Sequence, residues 1–159
     1  KIGMLSCGQS EKDFQNIYVF RDRKKTFEKI LSEYGLPDDL IIQYYGWRKL
    51  EYEGNVYRLL EKGVSAIVVI SEGKILYFLK QIGVEVPKDV SLTGWLNDMD
   101  QYCDLPMTGI MQNYELLAGK AVGLLEKLLR KEPVEKDLVI DYHFVSGAST
   151  APPKKGNAV

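Results

Sequence analysis

Short, continuously apolar runs alternate along the chain with stretches whose apolar residues recur every three or four positions. Residues 2–6, 40–44 and 66–70 are apolar and too short for helices, as expected of strands covered on both faces. Between the first two, Phe20, Phe27, Ile30, Leu31 and Tyr34 fall on one face of a helix predicted over 19–34 and ended by Gly35-Leu36-Pro37. Helices over 52–62 and 74–82 are closed by Gly63 and Gly83, since a Gly there can take the left-handed conformation that ends a helix. A strand over 90–95 follows. Pro87 biases Val86 toward extended backbone, and Gly94 stands where a side chain would obstruct close approach. Leu117, Ala121, Leu124, Leu125 and Leu128 then predict a long helix over 114–131, with Asn113 as its cap and Pro133 beyond its end. Over 138–145 the alternation of Val139, Asp141 and His143 predicts a β segment with at least one exposed face. The order of elements implies an α/β fold with a parallel, Rossmann-like sheet, right-handed crossovers and flanking helices. No internal repeat is evident.

Composition narrows the functional classes. With 45% hydrophobic and 27% charged residues in 159, the chain has the balance of a soluble globular domain. Its 21 basic and 22 acidic residues leave no surplus with which to neutralise a long run of phosphates, so the chain itself is not expected to read DNA. No apolar run approaches the roughly 18 residues of a membrane span, and no secretory leader pattern opens the chain. The first strand starts without an initiator Met or a lead-in loop, which is expected of a chain that begins mid-protein.

Catalytic and metal signatures are weak. Cys7 and Cys103 belong to no Cys-x-x-Cys or Cys/His cluster, so no metal site is expected, and Cys7 reads as a small buried hydrophobe. The single histidine, His143, lies in a terminal strand with no nucleophile motif to serve. No glycine-rich dinucleotide loop, Walker-type loop or nucleophile elbow is present, so no cofactor and no enzymatic activity are expected.

Three motifs together carry a family resemblance. Gly83 to Ser91 ends a helix through a Val-Pro-x-Asp-Val-Ser stretch, Gly94-Trp95-Leu96-Asn97 follows a strand, and Met107-Thr108-Gly109-Ile110-Met111-Gln112 comes soon after. With Val145 to Ala151 as a closing strand, the chain resembles the effector-binding domain of the LacI/GalR family of bacterial transcription regulators. That resemblance implies a periplasmic-binding-protein type I lobe plus crossover elements of a partner lobe. Residues 1–150 would form part of the effector-binding domain, mostly its C-terminal lobe, with about 108–150 crossing toward the N-terminal lobe, and 151–159 would be a tail.

The resemblance also nominates ligand-binding residues. Arg23 corresponds to an Arg placed three residues before a Gly-aromatic pair, here Thr26-Phe27. Its planar fork suits a hydroxyl pair or a carboxylate, whereas on pattern alone the run Arg21, Arg23, Lys24, Lys25 is a solvated helix face. Trp47 corresponds to an aromatic that stacks on the effector; a Trp capping the core is the alternative. Ser71 and Glu72 stand where the family carries Asn-Asp, and Glu72 also suits the dipole at a helix N-terminus. Leu96-Asn97 replaces a pair of aspartates, which removes a charged acceptor and leaves Asn97 or Asp98 to serve; an Asx turn is the alternative. Gln112 matches a crossover glutamine that can face the cleft or bond the backbone of the hinge.

The expected function is therefore ligand sensing. A sugar-like small molecule would bind between lobes and control DNA binding allosterically through a helix-turn-helix domain outside this chain, in a cytoplasmic homodimer with no membrane contact. A solute-binding protein serving a transporter or receptor is the alternative, and an α/β nucleotide- or flavin-dependent enzyme is the third reading.

Overall fold

The structure, a computed structural model, describes residues 1–8, 18–45, 49–70, 72–96 and 104–153. Its strands are β1 (Ile2–Gly8), β2 (Ile41–Tyr45), β3 (Ala66–Ile70), β4 (Ser91–Leu96), β5 (Thr108–Met111) and β6 (His143–Val145). The helices are α1 (Tyr18–Glu33), α2 (Lys49–Glu61), α3 (Glu72–Gln81) and α4 (Tyr114–Leu129). The six strands form one sheet in the order β2-β1-β3-β4-β5-β6. All pairings are parallel except that of β6 with β5, so the expected doubly wound α/β architecture is observed.

Because side chains alternate along a strand, the registers divide the sheet into two faces. Leu5, Ile67, Val69, Leu92 and Leu96 point to one face and pack with Val56 and Leu59 of α2 and with Ile75, Phe78 and Leu79 of α3. This is the main core. Tyr52 and Tyr57 set their rings edge-on to Phe78, with centroids 6.1 and 5.3 Å away. The opposite face carries Met4, Val68, Thr93, Trp95, Ile110 and Phe144, as the partner pairs Met4–Val68, Val68–Thr93, Trp95–Ile110 and Ile110–Phe144 require. Met4 and Leu31 of α1 are fully buried outside the main core cluster.

Several local expectations hold. Gly83 takes φ 76° where α3 ends, as do Gly35 and Gly63 in their own left-handed positions. Asn113 Oδ1 accepts the Leu116 N–H at 2.9 Å and caps α4. Val86 and Pro87 open a turn over 86–89, the bond between them is cis, and the turn is closed by the Asp89 N–H donating to Glu85 C=O at 2.7 Å. Others are corrected. Residues 108–111 form a strand too short, with Gly109 inside it, to stand out in the sequence pattern. The terminal β segment is confined to His143–Val145, with 138–142 outside any strand.

Of the closing segment, only Val145 belongs to a strand; the rest is a strap. Ser149 is fully buried, donates its hydroxyl to Leu92 C=O at 2.6 Å and accepts the Thr108 N–H at 2.8 Å, tying β4 to β5. Helical periodicity also overstated burial. Ile30 on α1 and Tyr34 just past its end are exposed, and α4 has no buried residue, its Leu125 and Leu128 each being 56% exposed.

Gly94 pairs with Val69 on one side and with Gly109 on the other. A Cβ at Gly94 would fall onto the backbone of Val69, and one at Gly109 would meet Gly94 C=O and the Leu96 side chain. Neither neighbour can move without breaking the parallel ladder. Gly94→Ala is expected to cost about 3 kcal/mol or more, read as a lower midpoint in urea unfolding at an unchanged m-value.

Candidate functional site

Parallel strands end together, so Gly8, Tyr45, Ile70, Leu96 and Met111 all lie toward one edge of the sheet. That edge is where open α/β folds hold ligands. Glu72 opens α3 two residues past the end of β3, and Gln112 directly follows β5, so both positions belong to this edge. Gln112 is half-buried and its carbonyl accepts the Tyr114 N–H at 3.0 Å. Among the described residues its side-chain amide makes no hydrogen bond. Trp47, Ser71, Asn97 and Asp98 lie outside the described residues.

Arg23 reaches the same edge from α1. Its Cζ stands 4.3 Å from the ring centroid of Trp95, the penultimate residue of β4. Both side chains are half-buried. The charged run containing Arg23 therefore divides. Arg21 pairs with Asp22 at 3.2 Å and Lys24 with Glu28 at 3.4 Å, on a solvated surface as the bare pattern predicts. Arg23 is the exception: among the described residues it has no carboxylate partner and donates no hydrogen bond, and it is held by the indole face.

Trp95 falls at the ligand-binding end of its strand by sequence, but it was not among the nominated residues. Its position at the carboxyl end of a strand was legible, and so was the alternation that sets it opposite Leu92 and Leu96; the stacking partner, about 70 residues away in sequence, was not. Beside the indole lies an open recess of about 190 Å³, lined by Val68, Thr93, Gly94, Trp95, Ile110 and Phe144. Its volume is of the order of the 150 Å³ that holds a benzene ring. Its walls are chiefly apolar, and one of them, the Trp95 indole, also carries the Arg23 guanidinium.

Two further features belong to this end of the sheet. Leu96 is 7% exposed within the main core, so the place where the resembling family has a carboxylate is here an apolar packing position. Ser6 lies one residue beyond the Leu5–Val69 pair, hence level with Ile70 and Trp95 across the sheet. It is fully buried, and among the described residues its hydroxyl has no hydrogen-bond partner. Strand spacing of about 4.8 Å puts its backbone roughly 10 Å from that of Trp95.

Comparison with protein families matches residues 1–150 to the Periplasmic binding protein-like domain. The solved transcription regulator CcpA of Lactococcus lactis is 28% identical with a TM-score of 0.75, over 95% of this chain and 56% of that one. A LacI family transcriptional regulator from Enterococcus faecium, solved with bound ribose, is 23% identical with a TM-score of 0.75, over 96% of this chain and 57% of that one. The lac repressor dimer bound to operator and the anti-inducer ONPF is 18% identical with a TM-score of 0.75, over 96% and 53%. The last two likenesses concern the fold. This chain spans 53–57% of the length of these three proteins. No curated protein matches it.

The stacked pair has a measurable strength. A double-mutant cycle on Arg23→Ala and Trp95→Leu, followed by urea unfolding, is expected to return a coupling of about 0.5–1 kcal/mol, as for a partly exposed cation over an aromatic face. A coupling of zero would mean that the two side chains do not hold each other.

Proposed function

Because the chain belongs to the periplasmic binding protein-like domain family, we propose that it is the ligand-sensing part of a LacI/GalR-type transcription regulator. A small, sugar-like molecule binds noncovalently at the carboxyl edge of the sheet. The observation that carries this reading is Arg23 poised over Trp95 beside an apolar recess, which joins a multidentate donor to a surface suited to the nonpolar face of a ring. Ribose bound to the regulator from Enterococcus faecium supports the sugar-like class. No covalent step is involved.

The effector acts by population shift: it binds one relative arrangement of two lobes better than another, and subunit contacts carry that bias to a DNA-binding domain. The operator, the helix-turn-helix that reads it and the homodimer lie outside this chain, and the lac repressor dimer on its operator supports that arrangement. The working location is the cytoplasm. In the division of domains that goes with this reading, residues 1–107 belong mainly to the C-terminal lobe, about 108–150 cross toward an N-terminal lobe, and 151–159 are a tail. The uncovered apolar residues of α4 support the crossing, since Val122, Leu125, Leu128 and Leu129 share one face and form a surface that a second lobe would bury.

Two experiments test these readings. In a thermal-shift screen of the full-length protein against sugars and related metabolites, a ligand present at about a hundred times its Kd should raise Tm by about 5 °C or more. Arg23→Ala should remove the shift; an undiminished shift takes Arg23 out of the site. In hydrogen exchange, the α4 amides should exchange at least tenfold more slowly in the full-length protein than in the 159-residue chain. Equal rates would mean that no lobe covers α4.

A further inference from the structure

Arg23 carries a charge that nothing described in the structure neutralises. Stacking on Trp95, a wall of the recess, spends one face of the guanidinium, while its in-plane N–H groups, which form the bidentate fork, make no hydrogen bond among the described residues. A carboxylate on β4 would normally be the simplest partner at such a position. Leu96 occupies the end of that strand and is turned into the core. The recess itself is walled by Val68, Trp95, Ile110 and Phe144 and offers no anion.

From this we infer that the effector supplies the missing negative charge: it is an anionic sugar-like metabolite, a carboxylate or a phosphate ester, gripped by Arg23 while Trp95 holds the guanidinium in position. The inference rests on the ligand-sensing reading and names the chemical class of its ligand. A neutral sugar would leave the half-desolvated cation without a counter-charge, whereas an oxyanion makes two parallel charge-assisted hydrogen bonds with it. Trp95 is the positioning residue in this scheme. It keeps the long Arg23 side chain in one geometry, so less conformational entropy is lost when the anion binds.

A first test needs no ligand. The chain has two tryptophans, so Trp47→Phe leaves Trp95 as its only indole. Iodide should quench its fluorescence at least about twofold more efficiently than neutral acrylamide, each referred to free tryptophan amide, because an unpaired cation concentrates anions around it. Arg23→Gln should abolish the iodide excess and leave acrylamide quenching unchanged. Iodide quenching that ignores Arg23 overturns the inference.

The second test is calorimetry on the full-length protein with paired probes: glucose, glucose 6-phosphate and gluconate, then ribose, ribose 5-phosphate and ribonate. At least one anionic member should bind about a hundredfold more tightly than its neutral parent, with phosphate and carboxylate arms separating the two sources of charge. Arg23→Gln should remove that preference. Trp95→Leu should weaken the anion about tenfold, and Trp95→Phe should restore it to within about threefold. A neutral sugar that binds as well as its anionic partners overturns the inference and leaves the sensing function standing. Binding by none of the probes overturns both.

Discussion

The close approach of three parallel strands at Val69, Gly94 and Gly109 is the constraint on which the rest of the molecule depends. No side chain intervenes between these backbones, and the space left at Gly109 receives Leu96, which locks the end of β4 against the core. Between Gly94 and Leu96, the alternation turns Trp95 to the other face. The same packing that buries Leu96 thus presents the indole to α1. Gly147 adds a further tight contact against the backbone of Pro106 and Met107, and Ser149 stitches β4 to β5 from the same strap.

That arrangement governs the chemistry available at the sheet edge. A cation held by an indole is anchored without being neutralised, because stacking uses the ring quadrupole and leaves the hydrogen-bond donors free. Held by an Asp, Arg23 would have its fork occupied and little left for a ligand. Leu96 stands at the end of β4 in place of a carboxylate, and the strand geometry aims it into the core.

Burial is distributed unevenly over the molecule. One face of the sheet is sealed by α2 and α3, whose Val56, Leu59 and Leu79 are completely inaccessible. The other is covered by α1 around Met4 and Leu31 and opens into the recess near Trp95. Helix α4 makes a regular, well-capped cylinder without a buried residue. This coverage is uneven: the apolar residues of α4 stay exposed while both faces of the sheet carry buried side chains.

Residue order alone was sufficient for the alternation of buried strands and helices, the glycine stops at 35, 63 and 83, the Asn113 cap and the obligatory glycine at 94, because each depends on chemistry within a few neighbours. It singled out Arg23 by resemblance, yet its charge pattern resembled that of Arg21 and Lys24. Only the tertiary structure separated them, since what distinguishes Arg23 is an indole contributed by a distant strand. Tertiary contacts also decided that 108–111 pairs as a strand, that 146–151 is a strap, and that the apolar stripe of α4 remains uncovered. Periodicity shows that a face is apolar; what lies against that face is a long-range fact, set by packing between segments far apart in the chain.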